Sequence, residues 1–270
     1  MGGEGGGLFG SDGDDDWIET SDPAEIEADD DEQLEPSVVG QPELRDVLAL
    51  MRPRIEDYCR AAAEYVRSAS TLTASQSKTN QIALSSVLGR VLLADLRTEL
   101  GQQLPRAVAG ERKVGGGLRD VKADVSEMTA TDGLTLAVEI KPVHLAVGRA
   151  IWNRFGDIRT FAVNVHLKFP FAVVGGVMTL PTAERARSGD DANWRSTTHL
   201  VDRAVARFVR AGGRRTEAEA PHLLEGIAVV LFDVESGDLS ADVPPVGSGL
   251  RWSEFITALA VAYDARFGAT

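Results

Sequence analysis

The chain has 270 residues, of which 43% are hydrophobic and 26% charged, so it is long enough to bury one sizeable core. Its single cysteine, Cys59, excludes an internal disulfide and a zinc site built from cysteines. No apolar run reaches the roughly 18 residues that a membrane-spanning helix needs, and the glycine- and acid-rich start is unlike a signal peptide. We therefore expect a cytoplasmic protein that does not associate with a membrane.

The net charge of −13 is concentrated in residues 1–40, which hold 14 acidic residues and no lysine or arginine. The other 230 residues hold 27 acidic and 28 basic residues, so their charge is close to balanced. With glycine runs and few apolar side chains, residues 1–40 are predicted to form a disordered acidic tail. The tail acts either as a solvating segment or as a tethered acidic peptide that competes with DNA for a basic groove.

Residues 41–270 are predicted to form a single domain whose first part, 41–105, is helical. Apolar residues recur at three- and four-residue steps over 41–68 and again over 80–103, which is the spacing of one face of a helix. A loop rich in glycine and charge is predicted to follow at 105–117.

Two strands are predicted next, over residues 118–129 and 134–141. The first alternates apolar and polar residues, and the pair Asp132–Gly133 between the two is a strong signal for a tight hairpin turn. Residues 146–168 fit either a helix or a strand, and we favour a helix because the 3.6-residue period spans the longer stretch.

The last part of the chain alternates apolar strands with helices. Two continuous apolar runs, 171–180 and 227–234, are predicted to be strands covered on both faces. Between them lie a polar loop at 181–195 and a basic helix at 196–211, and a helix at 250–267 ends the pattern. Interleaved helices and strands of this kind predict an α/β fold with a central mixed sheet flanked by helices.

Three charged residues of the predicted hairpin point to a chemistry. Asp124 lies on the first strand, and Glu139 and Lys141 share one face of the second strand, which is otherwise apolar. Charges in such a strand are costly to bury unless a partner, a metal or a solvent-filled cleft receives them. Two carboxylates suit Mg²⁺, which polarises a phosphoryl oxygen and lowers the pKa of a bound water. A neighbouring lysine can orient that water and stabilise charge on phosphorus.

Asp124 followed by Glu139-Ile140-Lys141 resembles the signature of the PD-(D/E)XK nuclease superfamily, which includes many type II restriction endonucleases. The resemblance implies a restriction-endonuclease-like α-β-β-β-α-β core with a catalytic region over about residues 80–235. It also implies that Asp124 and Glu139 hold Mg²⁺ and that Lys141 orients the attacking water.

Two features depart from the family pattern. Ala123 stands where the signature has proline, and residues 146–168 are interpreted as an insertion before the third strand. Asp120 shares a strand face with Asp124 and is its rival. Many members of the family add a metal ligand from the preceding helix, and the best match by position is Glu99, with Asp95 second; either could equally be a surface acid.

The predicted basic helix and the segment after it carry arginines at the spacing of one helix face, which suits a phosphate backbone. A solvated amphipathic face is the alternative interpretation. The predicted DNA-binding residues are Arg203, Arg207, Arg210, Arg214 and Arg215. Further candidates for contact with the bases or the scissile region are Arg149, Asn153, Asn164, His166 and Lys168.

Two functions of different classes follow. The first is a Mg²⁺-dependent DNA endonuclease; the resemblance implies a restriction or defence role, a homodimer, and a cognate methyltransferase or defence-system subunit as partner. The second is a non-catalytic module on the same fold that binds nucleic acid or protein, with the acidic tail as its regulatory element. A test of metal binding would distinguish these two functions, because the endonuclease needs a metal held by Asp124 and Glu139 and the non-catalytic module does not.

Overall fold

The computed structural model describes residues 53–185 and 194–268. The predicted acidic tail at 1–40 and the beginning of the first predicted helix lie outside the described residues. Within the described ranges the chain has an α/β fold, with a mixed five-stranded sheet flanked by helices. The fold class predicted from the sequence is confirmed at this level.

Five α-helices occur in the described ranges: α1 (Ile55–Ser68), α2 (Ala74–Leu100), α3 (Val147–Lys168), α4 (Thr198–Val209) and α5 (Trp252–Phe267). Helix α2 begins six residues before the predicted start because Thr73 and Gln76 cap it reciprocally. The Gln76 N–H donates to Thr73 Oγ1 at 3.3 Å, and Gln76 Oε1 accepts the Thr73 N–H at 2.9 Å.

The strands in the same ranges are β1 (Val108–Val114), β2 (Val121–Thr129), β3 (Gly133–Pro142), β4 (Val173–Pro181), β5 (Ala183–Arg185), β6 (Trp194–Ser196) and β7 (Gly226–Phe232). The main sheet has the order β1-β2-β3-β4-β7. Its first two pairings are antiparallel, and its last two are parallel. Strands β5 and β6 pair separately, within the segment predicted to be a polar loop.

Strand β1 corrects the loop predicted at 105–117. It carries three consecutive charged residues, Glu111 to Lys113, and for that reason its sequence does not read as a strand. The structure places it at the edge of the sheet, paired only with β2, where charged side chains reach solvent. An edge position removes the requirement for apolar alternation on which the sequence prediction depended.

Helix α3 confirms the helix predicted at 146–168, but it is not an insertion. It leaves the end of β3 and returns the chain to the start of β4, and these two strands are parallel neighbours. Parallel neighbours need a crossover connection, which is usually a helix. This helix is therefore a necessary part of the sheet's connectivity.

The helices form one layer on each face of the sheet. Residues of α1, α2 and α5 share one buried apolar cluster, and residues of α3 and α4 share another. All nine residues of β4 are buried between these layers, as predicted for a strand covered on both faces. At its centre, a Cβ on Gly176 would lie 2.5 Å from Ile158 of α3, and one on Gly175 would lie 3.0 Å from Leu259 of α5.

Candidate active site

Strands β2 and β3 part at the predicted site. Their pairing runs from the hairpin turn as far as Val125 and Val138. Beyond that point, Oδ2 of Asp124 accepts the backbone N–H of Ile140 at 2.6 Å. A carboxylate oxygen thus takes a hydrogen bond that a main-chain carbonyl accepts in a regular ladder. This contact holds the Asp124 side chain between the separating strands.

Glu139 and Lys141 lie on the same face of β3, as their spacing predicts. Their side chains form an ion pair between Oε1 and Nζ. Glu139 is only 8% exposed, whereas a quarter of the Lys141 side chain reaches solvent. The carboxylate therefore lies deeper than the ammonium group that accompanies it.

Burial raises the pKa of both carboxyls. The pKa of Glu139 rises to about 7, because burial outweighs the opposing charge of Lys141, and the charges of Asp124 and Asp157 add to the rise. The pKa of Asp124 is also raised by burial, against the lowering effects of the Ile140 N–H and of Lys141. Carboxylates that are costly to ionise and that repel one another are stabilised by a cation.

The three side chains line a cleft of about 420 Å³. Helix α3 supplies Asp157 and Thr160 to its wall, and the loop between β1 and β2 supplies Arg119 and Asp120. Negative charge exceeds positive charge in the lining, which contains the carboxylates of Glu111, Asp120, Asp124, Glu139 and Asp157 and the basic side chains of Arg119, Lys122 and Lys141. The cleft suits a cation together with a phosphate that the basic groups can hold.

Asn164 holds the loop that carries Arg119. Its Oδ1 accepts the backbone N–H of Arg119 at 3.0 Å and that of Leu118 at 3.3 Å, and its backbone carbonyl accepts the N–H of Gly117 at 2.7 Å. Asn164 is buried, so it is unable to contact the bases as its sequence position suggested. It positions one rim of the cleft instead.

Asp124 and Glu139 have the chemistry of a magnesium site with few protein ligands. Across the described ranges, no group of three or more histidine, cysteine, aspartate or glutamate side chains could hold a metal ion. Mg²⁺ is commonly held by one or two carboxylates and keeps several waters, so two carboxylates are enough protein ligands for that ion.

The structure does not bring Glu99, the predicted third ligand, to this pair. Glu99 is exposed near the end of α2, and α2 packs on the sheet face opposite α3, which walls the cleft. Asp95, the second candidate, accepts a hydrogen bond from Trp252 Nε1 at 2.8 Å, where α2 meets α5. The assignment of Glu99 is corrected because α2 serves the other layer of the molecule.

Two other carboxylates close to Asp124 in the sequence have partners of their own. Asp120, the rival of Asp124, lies on the cleft rim before β2 begins, and its exposed side chain pairs with Lys113 at 2.8 Å. Glu127 is buried and accepts the hydroxyl of Tyr263 on α5 at 2.5 Å and that of Thr135 at 2.9 Å. Among these acids, Asp124 is the one that lies opposite Glu139.

Helix α4 presents arginines beside α3. The guanidinium groups of Arg203 and Arg207 lie over the Trp152 ring, 5.7 and 4.1 Å from its centroid. Arg210 and Arg215 are exposed as well. Trp152 also borders a shallow hollow that shares Asp157 with the cleft, so the arginines adjoin a surface continuous with the cleft.

Arg214 corrects the predicted DNA-binding set. The chain turns at Gly213, whose φ of +85° favours glycine, and Arg214 passes into the interior, where it is 3% exposed. Its guanidinium pairs with Glu225 at 2.9 Å and donates to the carbonyl of Pro170. Glu225 also pairs with Arg266 of α5 at 2.8 Å, so Arg214 belongs to a structural ion network.

His166 joins the same network, with Nε2 3.3 Å from Glu225 Oε2, and its side chain is buried. It is therefore removed from the candidates for base contact.

No protein-family model matches the chain, and neither does any curated protein or solved structure. None of the helices in 53–185 and 194–268 combines the length and the apolar character needed to cross a bilayer.

Because no known protein matches, the candidate site is defined by its own geometry. That geometry includes Asp157, Thr160 and Arg119, which sequence reasoning missed; Asp157 lies one helical turn from Asn153, but nothing in that spacing distinguishes it from an ordinary surface acid.

Proposed function

We propose that the protein is a Mg²⁺-dependent DNA endonuclease that hydrolyses phosphodiester bonds. The observation that carries the proposal is the convergence of Asp124, Glu139 and Lys141 in one cleft where β2 and β3 part. Two carboxylates beside one lysine, at the mouth of a cleft with further basic groups, are the groups that metal-assisted phosphate hydrolysis requires.

The order of elements supports a restriction-endonuclease-like core. From α2 through β1, β2, β3 and α3 to β4, the chain follows the order α-β-β-β-α-β. In that order Asp124 lies on the second strand and Glu139 and Lys141 on the third, which is where the family signature has its acid and its acid-x-lysine pair. The core we propose therefore spans 74–181, and β1 supplies the strand that the sequence interpretation lacked.

Each side chain has a distinct role in this proposal. Asp124 and Glu139 would hold the cation, and Mg²⁺ when bound supplies polarisation of a phosphoryl oxygen and a more acidic bound water. Lys141 orients a water at the opening of the cleft and stabilises negative charge on the phosphate under attack. Arg119, on the rim, holds a non-bridging phosphate oxygen of the substrate.

The exposed arginines of α4 extend this surface toward a nucleic-acid backbone. Arg203 and Arg207 are held over Trp152, so less side-chain freedom is lost when a phosphate binds them. Together with Arg210 and Arg215 they are the DNA-binding residues of the proposal. It further includes a restriction or defence role in the cytoplasm, a homodimer that cuts both strands, and a cognate methyltransferase or another defence-system subunit as partner.

A cleavage assay tests the proposal. Purified protein would be incubated with phage and plasmid DNA, with and without Mg²⁺, beside the variants Glu139→Gln and Lys141→Ala. We expect discrete fragments only with metal, and a loss of roughly a hundredfold or more in each variant. Glu235→Gln and Lys78→Ala are matched controls, since both side chains are exposed and lie away from the cleft.

Intact DNA under every condition, with DNA binding unchanged in both site variants, would contradict the nuclease. That result would favour the non-catalytic module, in which the acidic tail regulates binding.

A further inference from the structure

A second concave surface lies at the other end of α3. It is a pocket of about 550 Å³ between the start of α3, the end of α1 and the β5–β6 pair. Three arginines line it, Arg149, Arg185 and Arg195, and Glu184 is the one carboxylate among the described residues of the lining. We call it the arginine pocket. Its excess of positive charge is the reverse of the charge balance in the cleft.

Arg149 and Arg195 are available to a ligand. Both are exposed, and in the described ranges neither side chain makes an ion pair or hydrogen bond. Arg185 is held in place: its guanidinium donates to Ser70 Oγ at 2.8 Å and to the carbonyl of Arg67 at 2.9 Å, and it lies over the ring of Trp194. One fixed arginine and two adaptable ones converge on a single pocket.

A buried histidine also borders the pocket. His144 is 4% exposed, and its Nε2 lies 2.9 Å from the Tyr58 hydroxyl. Its Nδ1 has no hydrogen-bond partner in the described part of the chain. Glu184 accepts the Val147 N–H at 2.6 Å and so occupies the beginning of α3. An anion in this pocket would therefore be held by the arginines and not by the end of the helix.

Helix α3 connects the pocket to the cleft. Arg149 belongs to the arginine pocket and Asp157 to the cleft, and the hollow between them is lined by residues from 149 to 157 of the same helix. Eight residues of helix span about 12 Å. A DNA strand advances about 3.4 Å per nucleotide along the duplex axis and also winds around that axis, so this distance corresponds to roughly two nucleotides.

We propose that the arginine pocket binds one backbone phosphate of the DNA strand whose scissile phosphate lies in the cleft, about two nucleotides away. The inference deepens the proposed function and rests on it. Arg149 and Arg195 contact the phosphate oxygens, and Arg185 and His144 form part of the pocket wall. A phosphate bound in the pocket determines which phosphodiester bond of the strand lies in the cleft.

The double variant Arg149→Ala/Arg195→Ala tests this, since both side chains are exposed and neither supports the core. Its affinity for DNA is compared with that of the wild-type chain and of Lys78→Ala/Arg90→Ala, which removes two exposed positive charges from α2 on the opposite layer. We expect roughly tenfold weaker binding for the pocket variant alone. We also expect the slope of log K against log salt to fall by about 0.9, the value for one phosphate.

A second measurement locates the phosphate. After the scissile bond is mapped, neutral methylphosphonate linkages are placed one at a time along the strand. The wild-type chain should lose affinity when the neutral linkage is about two nucleotides from that bond, and the pocket variant should show no further loss there. Titrations with inorganic phosphate and deoxyadenosine monophosphate distinguish a strand phosphate from a free one.

The outcomes separate this inference from the proposed function. Metal-dependent cleavage with equal DNA affinity and salt slope in the pocket variant and its control would overturn the pocket and leave the nuclease standing. Weaker DNA binding by the pocket variant, in a protein that cuts no DNA with any metal, would support the pocket and overturn the nuclease. Tight binding of free phosphate, without any effect on DNA, would also overturn the inference.

Discussion

Oδ2 of Asp124 lies 2.6 Å from the backbone nitrogen of Ile140, so the candidate metal ligand is also part of the hydrogen bonding between two strands. The two functions of this carboxylate can be separated because an amide oxygen accepts a hydrogen bond but binds a cation much more weakly than a carboxylate does. The charge of Asp124 would serve the metal, and its acceptor oxygen serves the fold.

Asp124→Asn should therefore keep the fold and lose the metal, whereas Asp124→Leu should lose both. We expect Asn to leave the free energy of unfolding almost unchanged, and Leu to lower it by about 1–2 kcal/mol because the Ile140 N–H loses its partner. Mn²⁺ or Mg²⁺ titration calorimetry and urea unfolding measure the two effects. Full metal affinity in Asp124→Asn would remove Asp124 from the proposed ligands.

Glu139 predicts a specific pH dependence of stability in the absence of metal. Its pKa is about 7 in the folded chain and near 4.5 when unfolded, so the folded state binds more protons between these values. Stability should therefore fall as pH rises from about 4.5 to about 7. Glu139→Gln should be more stable than the wild-type chain at pH 8, by about 3 kcal/mol, with no such gain at pH 4.

Thermal unfolding without metal, at pH 4, 6 and 8, measures this difference, and Glu235→Gln is the exposed control. Added Mg²⁺ should stabilise the wild-type chain at pH 8 and leave Glu139→Gln unaffected, because binding to the folded state alone raises its stability. A constant difference between the two proteins across this pH range would contradict the assignment.

Arg214 and Arg215 are neighbours with opposite expected behaviour. Arg214→Met should lower the free energy of unfolding by roughly 3–5 kcal/mol, because it leaves the buried charge of Glu225 without one of its partners. Arg215→Met should leave stability within about 0.5 kcal/mol, because that side chain is exposed. Urea unfolding of the two variants makes the comparison, and equal stabilities would refute the ion network described for Arg214.

Arg207 should contribute to DNA binding through both its charge and its contact with Trp152. Arg207→Ala should weaken binding about threefold to tenfold and lower the salt slope by about 0.9. Arg207→Lys should restore part of the slope but less of the affinity, since lysine stacks less well on an aromatic ring. Fluorescence anisotropy with labelled duplex DNA at several salt concentrations measures both quantities. An unchanged slope in Arg207→Ala would show that this arginine does not meet a phosphate.

Asn164 is expected to affect cleavage without contacting DNA or metal. Asn164→Ala removes the acceptor of the Leu118 and Arg119 N–H groups, so the rim loop loses its fixed position. We expect a reduction in kcat of about tenfold to a hundredfold, with metal affinity unchanged. Single-turnover cleavage kinetics and metal titration test this, and Arg119→Ala is the companion variant. If loop position is the cause, the double variant should be no slower than Arg119→Ala alone.

The shared face of Glu139 and Lys141 could be predicted, because residues two apart on a strand point the same way. The register that brings Asp124 opposite Glu139 could not be read from the Asp132–Gly133 turn signal, because the hairpin closes with Thr129 opposite Gly133 and the register shifts between Glu127 and Met128. The catalytic roles of the three residues stay a prediction. Asp157 and Arg119 could not be predicted, because they reach the cleft only through the packing of α3 and of a loop held by Asn164.

Arg214 is a residue that the sequence indicated as DNA-binding but that the structure buries in the interior. Its sequence context is that of a surface basic cluster, and it follows an amphipathic helix in a glycine-containing turn. Its burial depends on Glu225, which lies eleven residues later, directly before β7. In the sequence alone, Glu225 could pair with any nearby arginine. Tertiary packing determines which arginine pairs with Glu225, and no periodic pattern in the sequence indicates that pairing.

Gly176 of β4 lies against Ile158 of α3, the helix that contributes residues to both the cleft and the arginine pocket. The Ile158 side chain of α3 lies where a β-carbon at this position would be, so the absence of a side chain at Gly176 makes room for it. Arg149 and Asp157 belong to that helix, at its two working surfaces. A methyl group at Gly176 would have to displace Ile158, and a movement of α3 away from the sheet would carry Arg149 and Asp157 together, away from Asp124 and Glu139 on the strands.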